Sequence, residues 1–345
     1  MIDVGILGAT GMVGQQFIAL LARHPWFRVV WLGASHRSEG KPYREAAAWR
    51  LPADLPDDIA AMTVDAAAPG RAPELVFSGL DASAAGEIEA AFAAAGHCVI
   101  SNARNYRMDP TVPLLIPEIN ADHLGLLPAQ VGARGWKGRI VTNPNCSTVV
   151  LAMALAPLRQ FGLHTAQVTT LQAISGAGYP GVPSWDILGN VVPFIDGEEE
   201  KIQTEPKKIL GRFRDLGVEP HPVTISAQVN RVPVHDGHTM SVAVGLDEHP
   251  PAEAIVEAFA SFRGKPQELD LPTAPARPIV YLTERNRPQP SLDAGRGGGM
   301  TVSVGRLRPC PVAGYKFVAL GHNTIRGAAG AAILNAELMR REGLL

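Results

Sequence analysis

The opening segment GILGATGMVGQQF constrains this chain more than any other stretch. An apolar run ends at Leu7, and Gly8, Gly11 and Gly14 follow at intervals of three before a helical pattern begins. Glycines so placed let a turn take positive φ, let backbone approach a pyrophosphate closely, and leave a helix N-terminus free to face an anion. The spacing is GxxGxxG rather than GxGxxG, and a purely structural glycine turn is the competing explanation. A strand before and a helix after favour a dinucleotide site built from Gly8, Thr10, Gly11, Met12, Val13 and Gly14. The second strand pattern ends in LGASHRSEGK. An NAD site usually places an acid there for the ribose hydroxyls, whereas Ser35, Arg37 and Ser38 suit a 2′-phosphate. NADP(H) is therefore the expected cofactor. Glu39 is the contrary feature, and a solvated polar turn is the alternative.

Strand patterns at residues 4–7, 28–32, 75–78, 98–101 and 139–142 alternate with helical patterns such as 14–23 and 82–95. That alternation predicts a parallel sheet covered on both faces. After Asn143 the pattern changes. A helix is expected over 148–161, followed by long strand patterns at 164–173, 222–234, 238–246, 278–283, 300–307 and 315–320. These predict a second, α+β domain on a mixed, largely antiparallel sheet. GEEEKIQTEPKKILG reads as a polar helical insertion, and residues 287–299, rich in Pro and Gly, as an exposed loop. The Ala-rich tail over 324–342, broken only by Gly327 and Gly330, predicts a helix able to pack closely on another element.

With 345 residues the chain has room for two domains, and a formal net charge of -2 gives no reason to expect nucleic acid. No signal-peptide pattern opens it, and its longest apolar run is interrupted by Pro157, so no membrane association is expected. The three cysteines, Cys98, Cys146 and Cys310, show no ligand-like spacing and fit a reducing, cytoplasmic setting. No metal site is expected, because the histidines are not clustered.

The strongest chemical signal is VTNPNCSTVV. Cys146 falls just before an apolar helical run, with Ser147 or Thr148 as the expected N-cap. A thiol at a helix N-terminus feels the positive end of the dipole, which favours the thiolate. A lone Cys is otherwise most often a small core residue, the reading kept for Cys98 and Cys310. The segment AQVNRVPVHDGHTMSVAV supplies Arg231 and His238 on a hairpin-like unit around residues 235–237. A His with a near-neutral pKa can serve as acid and base in turn, and His235 is the competing choice.

VTNPNCST, TLQAISGAG and NRVPVHDGH together resemble the aspartate-semialdehyde dehydrogenases, and the likeness runs from GATGMVGQQF to GHNTIRGAAGAAILNAE. The pattern is closer to the archaeal and fungal branch than to the enterobacterial one. The related N-acetyl-glutamyl-phosphate reductases carry NPGC followed by Tyr, unlike NPNCST here. The resemblance implies a Rossmann-like NADP-binding domain over residues 1–145, joined by a returning C-terminal helix over 323–345. A catalytic and dimerisation domain over 146–322 would form a homodimer or homotetramer.

It further implies Cys146 as nucleophile, His238 as general acid/base and Gln172 as the residue orienting the acyl intermediate. Arg231 would pair with the substrate carboxylate, Glu198 would face its amino group, and Lys201 with Arg107 would bind phosphate. Asn145 would lie beside the nucleophile, Ser175, Gly176 and Gly178 near the nicotinamide, and Asn323 against the cofactor. Read without the family, Glu198 and Lys201 are also an i,i+3 pair suited to a solvated helix face, and Arg104 competes with Arg107. The implied reaction reduces L-4-aspartyl phosphate to L-aspartate 4-semialdehyde through a Cys146 thioester, in the route to Lys, Thr, Met and Ile. Malonyl-CoA reductase, another acyl reductase on the same scaffold, and a non-catalytic NADP-binding regulator remain open.

Overall fold

The computed structural model describes residues 1–345. The first sheet contains β1 (Ile2–Leu7), β2 (Phe27–Ala34), β3 (Asp65–Ala66), β4 (Leu75–Ser78), β5 (Cys98–Ser101) and β6 (Arg139–Thr142). All neighbours are parallel, in the order β3-β2-β1-β4-β5-β6. Helices cover both faces, so β4 and β5 are buried at every residue and read as continuous runs, LVFS and CVIS, not as alternating ones. The strand order reverses between β1 and β4. Loops leaving their C-terminal ends therefore diverge and open a crevice, the usual place for a dinucleotide in such a sheet.

The second sheet contains β7 (Leu163–Gln172), β10 (Thr224–Arg231), β11 (His238–Leu246), β12 (Ile279–Leu282), β13 (Val302–Cys310) and β14 (Gly314–Gly321). A small ribbon, β8 (Arg212–Arg214) with β9 (Gly217–Glu219), lies outside it. The order is β10-β7-β11-β14-β13-β12; β10–β7 and β12–β13 are parallel and the other three pairs antiparallel. β7 alternates along its length. Ala166, Val168, Thr170 and Gln172 face the core while Gln167, Thr169 and Leu171 are exposed, so one face of this sheet is open.

Against the second sheet lies the helix Cys146–Leu155, buried at every residue from Ser147 to Leu155. A helix apolar on all sides can exist only when packed on all sides. Its neighbours are β7, β11, β13 and β14, the helix Glu198–Ile209, and the segment Ile325–Ala329.

Four expectations change. The helix expected over 148–161 starts earlier and divides at Pro157, which has no N–H to continue the ladder, giving a 3-10 segment at Ala156–Phe161. Arg231 and His238 are not on a hairpin, because β7 lies between β10 and β11. Residues 287–299 are not a bare loop. The buried Asp293 carboxylate accepts hydrogen bonds from Arg287, Arg296 and the Gln289 N–H, organising the short helix Pro290–Asp293. The tail begins as a π-helical turn, Ile325–Ala329, before the α-helix Gly330–Arg341. That helix is buried from Gly330 to Met339 and shares a core with Val4, Phe77 and Ile100 of the first sheet and Phe17 of the helix Met12–Leu21.

Candidate active site

β6 ends at Thr142, and three residues later the chain turns into the helix headed by Cys146. Asn145 is the N-cap, in place of Ser147 or Thr148: its Oδ1 accepts from the N–H groups of Ser147 (2.9 Å) and Thr148 (3.1 Å). The Ser147 and Thr148 hydroxyls are buried without partners, because both residues already lie inside the helix. The ends of β7 and β10 and the start of β11 meet this terminus. Gln172 and Arg231 are paired in register, and His238 opens β11 beside them.

Cys146 Sγ lies 3.2 Å from His238 Nε2. On the other side of the ring, the Ala173 N–H donates to Nδ1 at 3.1 Å. A backbone N–H can only donate, so Nδ1 accepts and the proton of the neutral imidazole sits on Nε2, aimed at sulfur. Burial pushes His238 down to about 3, against the near-neutral value expected from sequence. Burial also pushes the Cys146 thiol up to about 12, and Glu198 adds to the rise, while Lys201, Arg107 and Arg231 pull it down. The lowering anticipated from the helix terminus is thus opposed by the setting of the sulfur.

Around this pair, Arg231 donates to the Ala173 carbonyl at 2.8 Å, and Gln172 donates to Thr170 Oγ1 at 3.3 Å. Gly176 lies over Arg231 and His238; a Cβ there would stand 2.9 Å from an Arg231 nitrogen and 3.1 Å from His238 Cε1. Glu198 is buried, accepting from Asn145 Nδ2 at 2.8 Å and Lys201 Nζ at 2.6 Å. Burial opposes its ionisation, but the Lys201 charge and these two hydrogen bonds outweigh that and hold its carboxyl below the ordinary value. Glu198 and Lys201 are therefore not a solvated surface pair. Arg107 is buried too, donating to Glu205 at 2.9 Å and the Asn102 carbonyl at 2.7 Å, with Nε left without a partner.

The crevice of the first sheet fits a dinucleotide. Gly8 has φ +73, and a Cβ on it would stand 2.8 Å from the Gly79 carbonyl oxygen; a Cβ on Gly14 would collide with the Gly8 carbonyl oxygen. Gly11 is the N-cap of the helix Met12–Leu21 and no side chain caps it, so the N–H groups of Met12 and Val13 remain available to an anion, with Thr10 beside them. Ser35 and Arg37 are exposed after β2 and Ser38 is buried. Glu39, half-exposed, lies 2.9 Å from the exposed His36 ring and remains the contrary feature. A cleft of about 500 Å³, lined by Met12, Arg50, Ser175, Gly178, Asp236 and Thr324, joins the two halves. Asn323 braces that cleft, donating to Ser175 Oγ and accepting from the Gly237 N–H, each at 2.8 Å. A cavity of about 780 Å³ near Leu124, Val131 and Arg139 contains none of these residues. No group of three or more His, Cys, Asp or Glu is arranged to hold a metal.

Sequence reasoning missed Glu205, Lys208, Ala173 and Gly327. Glu205 Oε2 accepts from the Asn145 N–H at 2.7 Å, and a Cβ on Gly327 would stand 2.7 Å from Cys146 Cβ. The spacing Glu198, Lys201, Glu205, Lys208 on one helix face was the available signal for two of them.

Residues 3–127 match the family model of the semialdehyde dehydrogenase NAD binding domain, and residues 155–326 that of the semialdehyde dehydrogenase dimerisation domain. An aspartate-semialdehyde dehydrogenase of Archaeoglobus fulgidus is 50% identical over 99% of this chain and 99% of its own. The chain belongs to the aspartate-semialdehyde dehydrogenase family. The family enzyme of Cryptococcus neoformans is also 50% identical, across 100% of this chain and 98% of its own. A crystal structure of the aspartate-semialdehyde dehydrogenase of Candida albicans with NADP superposes with a TM-score of 0.91, at 41% identity, covering 100% of both chains. Membership makes this an oxidoreductase with a dimerisation domain, and none of its helices is long and apolar enough to cross a membrane.

Proposed function

We propose that this enzyme interconverts L-4-aspartyl phosphate and L-aspartate 4-semialdehyde through a thioester on Cys146, with NADP(H), in the route to lysine, threonine, methionine and isoleucine. The observation that carries the reading is the Cys146–His238 contact at a helix N-terminus, flanked by separate cationic groups, Arg107 with Lys201 and Arg231. A substrate bearing both a carboxylate and an acyl phosphate needs two such pockets. Arg231 offers its carboxylate a planar fork, while Arg107, with a free Nε, and Lys201 suit the phosphoryl oxygens. Glu198 supplies the anion for the substrate ammonium.

Gly8, Gly11, Met12 and Val13 would hold the pyrophosphate, Ser35, Arg37 and Ser38 the 2′-phosphate, and Ser175, Gly176, Gly178 and Asn323 the nicotinamide end. NADP(H) supplies or accepts the hydride. The protein's own groups do the rest. The Cys146 thiolate displaces phosphate from the acyl carbon, so that one hard displacement becomes two easier ones. The Nε2–H of His238 donates to sulfur and to the carbonyl oxygen as charge develops on each, and Gln172 fixes the acyl group. The thiol proton goes to water, because Nδ1 is already committed to Ala173. This chemistry belongs in the cytoplasm, where the thiol stays reduced.

The test is phosphate-dependent reduction of NADP with L-aspartate 4-semialdehyde, run beside NAD and a Cys146→Ala control. The reading expects phosphate-dependent turnover that is lost in the control while NADPH binding persists. Turnover with malonyl-CoA and none with the semialdehyde would replace the substrate assignment.

A further inference from the structure

We propose that Lys208 and Glu205 are positioning residues for the anion subsite. Lys208 fixes the loop that carries Arg107, Glu205 fixes the guanidinium against the nucleophile's backbone, and together they set the affinity for phosphate. The inference rests on the phosphate role given to Arg107 above.

Lys208 is buried, and its Nζ donates to the carbonyls of Arg107 (2.8 Å), Asp109 (2.6 Å) and Val112 (2.7 Å). An ammonium has three N–H donors, so all of them are spent on this one loop and none on a carboxylate. A buried cation without a bonded anion is costly compared with an apolar side chain of the same length. Burial accordingly pushes Lys208 down to about 8, with Asp109 and Glu205 acting in the opposite sense. What that arrangement gives is loop geometry. Within the loop the turn bonds from the N–H groups of Arg107, Asp109 and Val112 are all 3.2 Å long, whereas the three bonds to Nζ are shorter.

Glu205 completes the device. Oε1 accepts from Arg107 at 2.9 Å and Oε2 accepts from the Asn145 N–H at 2.7 Å, one residue before Cys146. The phosphate-binding guanidinium and the nucleophile's helix cap are thereby held by a single carboxylate. Glu198, Lys201, Glu205 and Lys208 all project from one face of the helix Glu198–Ile209, so a single rigid element sets the distance between the anion site and the sulfur.

The charged and titratable groups facing Lys208 are Asp109, Arg107, Glu205 and His123. As pH rises through about 8 the amine loses its charge and one of its three donors, and the loop loosens. The experiment measures KM for inorganic phosphate, at saturating semialdehyde and NADP, from pH 7 to 9.5. It compares the wild-type enzyme with Lys208→Met and Glu205→Gln.

The expected result is a KM for phosphate raised about ten-fold or more in each variant at pH 7, the loss typical of a misplaced charge-assisted hydrogen bond. KM for semialdehyde and for NADP stays within about two-fold, a split that a general loss of stability does not produce. The ratio of Lys208→Met to wild-type KM falls toward one as pH passes 8, and taking the ratio cancels the titration of phosphate itself. Should Lys208→Met not fold, Glu205→Gln, which keeps the side-chain volume, decides alone. An unchanged phosphate KM in Glu205→Gln, or a rise matched by the other two substrates, overturns the proposal. A wild-type rate indifferent to phosphate overturns the phosphate role of Arg107 instead.

Discussion

Gly327 is the position where a single methyl group tests how closely the C-terminal segment is fitted to the nucleophile. A Cβ there would stand 2.7 Å from Cys146 Cβ and 3.0 Å from Cys146 Cα. Carbon atoms rest at about 3.5–4.0 Å, so the two elements must separate by about 1 Å. Neither contact is the far end of a flexible chain. Gly327 is tied by its N–H to the His322 carbonyl at 2.9 Å, and Cys146 begins a helix buried at every later residue. Overpacking of this kind costs about 1–3 kcal/mol. The same displacement carries sulfur away from His238 Nε2, now 3.2 Å distant, and about 1 Å of misplacement can lower a rate about 100-fold. Gly327→Ala is therefore expected to lose one to two orders of magnitude in kcat/KM, with a lower thermal midpoint. Gly132→Ala, in a helix where an added Cβ meets nothing within 4 Å, serves as the control and should be neutral or slightly stabilising. If Gly327→Ala behaves like Gly132→Ala in both assays, the packing argument is wrong.

Two further outcomes follow from the same geometry. His238 is ordinarily protonated below 6.5 but is pushed down to about 3 by burial, so the unfolded chain takes up a proton that the folded protein refuses. Its contribution is complete above 6.5 and is lost as pH falls toward 3, reaching about 2 kcal/mol at pH 5. Urea midpoints should show His238→Gln losing less stability than wild type between pH 7 and 5, whereas parallel slopes would contradict the burial argument. Arg37→Ala should raise KM for NADP about ten-fold and leave that for NAD nearly unchanged, since only the 2′-phosphate is at stake. Equal changes for both cofactors would remove Arg37 from that site.

Legibility in the sequence followed the range of the interaction. β4, β5 and β6 are short runs bounded by turn residues and buried on both faces, so their limits were readable from local pattern alone. Gly8 and Gly14 were readable because a steric demand on backbone leaves glycine as the residue that meets it, whereas a Cβ on Gly11 would make only an ordinary contact at 3.4 Å. The contact between Cys146 and His238, 92 residues apart, was not a property of any local window; the family resemblance supplied the pairing, and only the fold supplied the distance. The apparent hairpin holding Arg231 and His238 misled because local spacing cannot reveal that β7, some 60 residues earlier in the chain, inserts between them. The cap went to Asn145 because its own extended backbone, with φ -57 and ψ 146, lets the side chain reach two N–H groups, a choice among Asn145, Ser147 and Thr148 that composition does not make. Lys208 and Glu205 resembled surface charges in a polar helix, and their burial arises from the loop that folds over them.

The central claim is a covalent acyl intermediate on Cys146. It is tested most directly by mixing the enzyme with L-aspartate 4-semialdehyde and NADP in phosphate-free buffer, quenching in acid, and locating the mass increase by peptide mapping. The account predicts one aspartyl thioester on the peptide containing Cys146, discharged on adding phosphate. Stoichiometric NADPH formation with no adduct on Cys146, or with the adduct on Cys98 or Cys310, would contradict it.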